Sequence, residues 1–304
     1  MEPTAFLFAG QGADLLHALR AFADHSSRTH DLLERARRFS GHDQDLLERG
    51  GRALRSTRVS QPALVALCLA VCEELRVRGI PIECAAGHSL GELSAWSALG
   101  AISVEDAIDL AGERGRLMER EAERNPGAML ALVDANESSV DAALRLGRSL
   151  GTLVVSARNA TDEWVLSGDE TAIMAVASRF RSVRIPTPGA WHSPSMLAAV
   201  DELTRIFRAV PRSPMAGCFV ANRTGEIVKD EAEGPTLLAE QLVHPVDWLG
   251  VLRTIRLRGV RRFVTVGPGR VLRGFVRKTF GSEALVMTTE TPEELEATIG
   301  RLKP

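Results

Sequence analysis

The sequence predicts an α/β fold, a mostly parallel sheet flanked by helices, with a small α+β unit inserted in it. Three observations carry this. Short apolar runs bounded by glycine or proline alternate with segments of helical periodicity in both halves of the chain, the signature of strand–helix units around a parallel sheet. Between 126 and 188 the order changes to strand, helix, strand, strand, helix, strand, a ferredoxin-like unit of about 60 residues. Finally, Gly87-His88-Ser89-Leu90-Gly91 lies between an apolar run and a helical segment. In that strand–turn–helix context a glycine-flanked serine is lifted out on a sharp turn.

Taken in order, residues 4–9 read as a buried strand, followed at once by Gly10-Gln11-Gly12. Two glycines are too few for a dinucleotide fingerprint, so this is a tight strand–helix turn. Residues 29–39 and 43–49 read as charged helices. Gln61-Pro62 opens an apolar helix to about 78, since proline suits a first turn, and Leu64, Leu67, Cys68, Val71 and Leu75 mark its buried face. The strand before Ser89 holds Ile82, Cys84, Ala85 and Ala86. A helix opens at Ser103, with Glu105 and Asp106 where the helix dipole favours acids, and runs past Arg114 to Met118. Asn125-Pro126-Gly127 is a break.

The inserted unit follows: strand 128–133, helix 137–146, strands 153–157 and 164–167, helix 171–180, strand 183–185. Beyond it, Ala190-Trp191-His192-Ser193-Pro194 leads into a helix to 209. Then come strand 216–220, helices 237–243 and 246–257, and strand 262–266. Gly267-Pro268-Gly269 opens a basic helix to 278, and strand 285–287 and helix 292–302 close the chain. The expected division is a large subdomain, 1–125 and 189–304, around a small one, 126–188.

The 304 residues are 45% apolar, enough for a sizeable core, and 37 Lys and Arg against 39 Asp and Glu give a net charge of −2. That balance argues against a nucleic-acid binder of the basic-stripe kind, though not against a local basic patch. The four cysteines form no C-x-x-C and no Cys/His cluster, so no metal site is expected and the thiols read as buried and reduced. No leader-like segment and no apolar run of roughly 18–20 residues occurs, so the expectation is a cytoplasmic protein with no membrane contact.

A serine hydroxyl needs a base to become a nucleophile. Of the seven histidines, His17, His25, His30 and His42 lie in polar segments, and His244 precedes a proline. His88 adjoins Ser89, where side chains diverge, and reads as a packing or hydrogen-bonding residue. His192 is the candidate base because it sits where the inserted unit rejoins the large one, and clefts form at such junctions. The competing reading is a loop histidine beside a helix start. For Ser89 the competitor is a helix-capping serine. Arg114 lies mid-helix in Gly112-Glu113-Arg114-Gly115. Glycines cost roughly 1 kcal/mol each there, which points to close packing or access, and a guanidinium in the cleft would grip a carboxylate bidentately. A solvated helix arginine is the alternative.

Gly10-Gln11-Gly12, Gln61-Pro62-Ala63-Leu64, Gly87 to Glu92, Arg114-Gly115-Arg116-Leu117-Met118, His192-Ser193-Pro194, Pro245-Val246-Asp247-Trp248 and Val266-Gly267-Pro268-Gly269 occur in the order of the malonyl-CoA:acyl carrier protein transacylases. The chain resembles that family, and the acyltransferase domains of polyketide synthases, over essentially its whole length. The resemblance implies an α/β-hydrolase-like large subdomain and a two-step transfer in fatty-acid or polyketide assembly. In it Ser89 is the nucleophile and His192 the general base, and the N–H groups of Gln11 and Leu90 form the oxyanion hole. Arg114 pairs with the malonyl carboxylate, Asn159 and Trp191 contact substrate, and position 247, here Asp247, supplies the carbonyl that orients the histidine. It implies no tightly bound cofactor, coenzyme A thioester as substrate and an acyl carrier protein as partner; the oligomeric state is not readable from the sequence, and a monomer is the expectation taken.

Two departures stand out. Ala13-Asp14 replaces the family's Ser-Gln after Gly-Gln-Gly, which bears on access or carrier docking. Trp191 stands where malonyl-selective domains tend to carry Phe and methylmalonyl-selective ones Ser. Its larger ring favours unbranched malonyl, or else reshapes the pocket for an unusual acyl group. Two rival functions remain at this level: an acyl hydrolase of the same fold that clears carrier proteins, and a carrier-docking module without turnover. The Arg-rich stretch from Arg253 to Lys278 reads equally as a surface for an acidic carrier protein and as solvated surface.

Overall fold

The computed structural model describes residues 2–303 except 13, 24, 41–45 and 48–51, with the backbone alone at 38–40 and 52. His42 and, apart from 46 and 47, the helix expected at 43–49 lie outside the described residues. The strands are β1 (Thr4–Phe8), β2 (Cys84–Gly87), β3 (Ala128–Val133), β4 (Leu153–Ala160), β5 (Glu163–Gly168), β6 (Ser182–Ile185), β7 (Cys218–Phe219), β8 (Arg262–Val266) and β9 (Leu285–Thr288). The helices are α1 (Leu15–Phe22), α2 (Ser27–Ser40), α3 (Thr57–Val77), α4 (Gly91–Ala98), α5 (Val104–Arg124), α6 (Glu137–Arg148), α7 (Glu170–Ala177), α8 (Leu197–Ala209), α9 (Gly234–Glu240), α10 (Trp248–Leu257), α11 (Arg270–Phe280) and α12 (Pro292–Leu302).

The first sheet has the order β7-β2-β1-β8-β9, and every neighbouring pair is parallel. β1 is apolar and buried along its length, without the alternation of a half-exposed strand, as a sheet covered on both faces requires. Phe6 and Phe8 are fully buried there, each contributing about 1.5–3 kcal/mol of burial. α3 is buried on all sides from 59 to 72, a helix enclosed by the core rather than lying on it.

α3 begins at Thr57, earlier than Pro62 suggested. A tertiary contact outweighs the local signal: Thr57 Oγ1 donates to the Gly115 carbonyl at 2.9 Å, and a Cβ on Gly115 would lie 2.4 Å from the Thr57 oxygen. That approach is the reason for glycine inside α5, and it brings Gln61 within bonding distance of Arg114. α1 is an addition to the sequence reading. Its buried Leu15, Ala18, Leu19 and Phe22, with Asp14 capping the His17 N–H, form a short amphipathic turn whose polar half resembles a loop. β7 is shorter than expected, two residues.

The second sheet is antiparallel, in the order β4-β5-β3-β6, the arrangement of a ferredoxin-like unit. Period-2 alternation divides its strands. Leu130, Leu132 and Leu166 pack with Val140 and Ala143 of α6 and Ile173 and Val176 of α7, while Met129, Ala131 and Val165 line a cleft on the opposite face. The base of this unit is closed by a bridge between Pro126 and Gly189. Its edge strand β4 is tied to the loop before α10, because Arg158 N–H donates to the Val246 carbonyl and Val246 N–H to that of Ser156, each at 2.9 Å. The four cysteines are free and buried, and burial pushes Cys68 and Cys72 up to about 12. Among the described residues no helix is long and apolar enough to cross a membrane.

Candidate active site

β2 ends at Gly87 and α4 begins at Gly91. A Cβ on Gly87 would lie 1.8 Å from the Gly91 carbonyl carbon, so this turn closes only with glycine. Ser89, between them, has φ +52°, the left-handed region that costs an L residue about 1–3 kcal/mol and persists only when its surroundings hold it. Two amides hold it. Ser89 N–H donates to Asn222 Oδ1 at 2.7 Å, and Gln241 Nε2 donates to the Ser89 carbonyl at 3.0 Å. Asn222 Nδ2 also donates to the Gly87 carbonyl at 2.6 Å, clamping the turn from both ends.

His192, also left-handed at φ +56°, places Nε2 2.8 Å from Ser89 Oγ. Its Nδ1 lies 2.7 Å from the Gln241 carbonyl oxygen. A carbonyl only accepts, so Nδ1 carries the proton and Nε2 turns its lone pair to the serine. Arg114 is 2% exposed. It donates from Nη1 to Gln61 Oε1 at 2.9 Å, and from Nη2 to Gln241 Oε1 at 2.9 Å and to Ser89 Oγ at 3.1 Å. All three partners are neutral. Burial lowers its pKa to about 10, leaving it charged at neutral pH.

These groups open into a cavity of about 280 Å³ between the two sheets, lined by Gln11, Ser89, Arg114, Asn159, Trp191 and His192 with apolar residues such as Met129, Val165 and Phe275. Asn159 Oδ1 meets His88 Nε2 at 2.8 Å, and the His88 ring stands edge-on to Trp248; His88 bonds and packs rather than acting as a base. Leu90 is buried at the start of α4. Among the described residues the main-chain N–H groups of Gln11 and Leu90 donate to no other group. Among the described residues no three His, Cys, Asp or Glu side chains gather to hold a metal ion.

Residues 6–304 match the acyl transferase domain family. The chain belongs to this family. Malonyl CoA-acyl carrier protein transacylase of Bacillus subtilis (strain 168) is 28% identical over 320 residues, spanning 100% of this chain and 98% of its own length. The crystal structure of MCAT from Streptococcus pneumoniae is similar with a TM-score of 0.88 at 29% identity, over 98% of this chain and 99% of that one. A malonyl-transacylase in complex with its type II polyketide synthase acyl-carrier protein is similar with a TM-score of 0.91 at 25% identity, over 98% and 99% of the two chains.

One expected residue of the acyl transferase is displaced. The carbonyl that orients His192 belongs to Gln241, not Asp247. Asp247 caps α10, accepting the Gly250 N–H at 3.1 Å, and its own N–H donates to the Asn222 carbonyl at 2.8 Å. The sequence order of the motif places 247 near the site, but a helix start claims its side chain. Asn222 and the role of Gln241 lie outside the sequence reading altogether. Neither stands in a periodic pattern or beside a reactive residue; an Asn or Gln becomes legible only once its two amide ends meet partners.

Burial, and then the charge of Arg114, lower the His192 pKa from 6.5 to about 3. The imidazolium is the disfavoured form, so the base stays unprotonated where a free histidine would already be charged. Acylation by malonyl-CoA, measured as kcat/KM, is expected to stay level as the pH falls from 8 through 6.5 and to decline only well below. A decline centred on 6.5 would contradict this environment.

Proposed function

We propose that this acyl transferase moves a malonyl group from coenzyme A to the phosphopantetheine thiol of an acyl carrier protein, through an acyl-serine intermediate, in fatty-acid or polyketide synthesis. Ser89 Oγ attacks the thioester carbonyl while His192 Nε2 takes its proton. The N–H groups of Gln11 and Leu90 receive the oxyanion. Collapse expels the coenzyme A thiol, which takes the proton from His192. In the second half His192 deprotonates the carrier thiol, which attacks the acyl-serine, and Ser89 leaves with the proton. No step requires a tightly bound cofactor. The small unit, 126–188, supplies Asn159 and one wall of the cleft, and the rest of the chain supplies the reacting groups.

One observation carries the reading: a buried guanidinium with neutral partners, 3.1 Å from the nucleophile. Glu92 offsets that charge only through space, so an acyl group that brings an anion gives the guanidinium a charged hydrogen-bond partner that the protein itself does not. It supports malonyl over a neutral acyl chain, and transfer over hydrolysis of such chains. The relatives' names support the same donor and acceptor. Wild-type protein mixed with malonyl-CoA should gain one malonyl group by intact mass and lose it to an added holo carrier protein. Release mainly to water, with little malonyl carrier formed, would favour the hydrolase; no mass gain would favour a docking module.

The exposed face of α11 supports the acidic partner. Arg270, Val271, Arg277 and Lys278 share it; Arg270 pairs with Glu290 and Lys278 with Glu163, among the described residues no ion pair holds Arg277, and Val271, 51% exposed, also lines the cavity. Rim charges act mainly on association rate and salt dependence. Arg277→Glu is expected to raise KM for the carrier protein about 5–10-fold, given that exposed pairs contribute about 1 kcal/mol and reversal adds repulsion, with acylation by malonyl-CoA unchanged. An unchanged carrier KM would remove α11 from the docking surface.

A further inference from the structure

Glu92 takes no part in the chemistry above, yet it lies one turn beyond Ser89 and is only 2% exposed. Its Oε1 accepts the Asn222 N–H at 2.6 Å, and its Oε2 accepts a hydrogen bond from Gln241 Nε2. The same Gln241 amide donates to the Ser89 carbonyl at 3.0 Å and accepts from Arg114 Nη2 at 2.9 Å. We propose that Glu92 is a positioning residue that sets which way round the Gln241 amide sits and, through it, holds Arg114 for an acyl group with a free carboxylate. This rests on the malonyl reading and names a residue that enforces it.

The argument is one of donors and acceptors. A primary amide has a donating end and an accepting end, a carboxylate only accepts, and a guanidinium only donates. Gln241 lies between the last two. With NH2 toward Glu92 and oxygen toward Arg114, both contacts are satisfied. Turned over, it would set oxygen against carboxylate and NH2 against guanidinium, two buried mismatches at once. The acceptor at position 92 selects the first orientation together with the Ser89 carbonyl, which takes the same NH2.

The ionised form is the one these bonds require. Both carboxyl oxygens receive N–H donors, and an O–H on either oxygen would compete with the donor it now accepts. Burial raises Glu92 to about 8 even with those two hydrogen bonds and Arg114 opposing it, and the carboxylate in turn favours the buried charge of Arg114; the case for the ionised form is the geometry of its two donors. Glu92 does not line the cavity, so its influence on substrate passes through Gln241 and Arg114.

Glu92→Gln keeps the size and sets the position against the native arrangement, because one end of the new amide must present NH2 to a donor, either the Asn222 N–H or the Gln241 amide. Single-turnover acylation by malonyl-CoA and by acetyl-CoA, read by intact mass, is expected to show the malonyl-to-acetyl ratio falling at least tenfold. Acetyl acylation should fall less than malonyl acylation, since any loosening of the Ser89 turn acts on both acyl groups alike, whereas the loss of Arg114 placement acts on malonyl alone. Gln241→Ala, which retains that main-chain carbonyl, is measured alongside and tests the same link even where Glu92→Gln folds poorly. It should lower the ratio to a similar degree, and the double variant should fall no further, because the two residues act as one unit. Equal losses for both acyl groups, an unchanged ratio in Gln241→Ala, or losses that multiply in the double variant would overturn the role of Glu92. The transfer reading fails separately, at the wild type, if that protein takes up no malonyl group.

Discussion

Ser89→Ala is expected to form no acyl-enzyme with malonyl-CoA and to lose on the order of 10⁵–10⁶ in turnover, the scale seen when a serine nucleophile is removed from a unit that acts with its base. The protein should remain folded. The left-handed backbone at φ +52° is held by Asn222 and Gln241 through main-chain atoms, and these bonds do not involve the hydroxyl. Alanine pays the same conformational cost there as serine. The lost contacts are those of Oγ with His192 Nε2 and Arg114 Nη2, and both partners face a cavity. Intact mass after incubation with malonyl-CoA, together with a thermal melt close to that of the wild type, makes the measurement. Malonyl carried on the Ser89→Ala protein would place the covalent step elsewhere.

Arg114→Ala is expected to lower kcat/KM for malonyl-CoA by about 10²–10⁴. Two charge-assisted hydrogen bonds to a carboxylate contribute about 1.5–3 kcal/mol each, and every 1.4 kcal/mol is about tenfold. Acetyl-CoA and longer acyl-CoA should gain relative to malonyl, because a site built around a charged partner rejects ligands that leave that partner unpaired. The substitution also strands Gln61 Oε1 and Gln241 Oε1 and removes the cation opposing Glu92. Some loss of stability is therefore expected, and the acyl preference, which compares two substrates on one protein, is the quantity that decides. An unchanged malonyl-to-acetyl ratio would refute the pairing. In the resting protein Nη2 reaches Ser89 Oγ at 3.1 Å, so the guanidinium already stands at the point of reaction.

Much of the site was legible because it is local. The strand–turn–helix glycines mark Ser89, and a glycine in α5 marks a close approach next to Arg114. His192 was harder, since its only signal was position at a junction. The expectation at Asp247 differs from the structure for a related reason: motif order locates a segment within a few residues, whereas the carbonyl that holds His192 sits at Gln241, on a short 3-10 turn (Gln241–Val243) that sequence periodicity does not distinguish from its flanks. The start of α3 is not legible in the sequence, because a contact with Gly115, distant along the chain, outweighs the proline signal.

The sequence by itself determined the elements, the parallel and inserted sheets, and which side chains have the chemistry for acyl transfer. These follow from short-range periodicity, from glycines where a Cβ would collide, and from the reactivity of single groups. Only the tertiary structure decided how those groups are held. It brought a hydroxyl, an imidazole and a guanidinium onto one cavity, and it fixed them with Asn222, Gln61, Gln241 and Glu92. The physical reason is that an amide or a buried carboxyl is specified by what meets each of its ends, and those partners come from segments far apart along the chain.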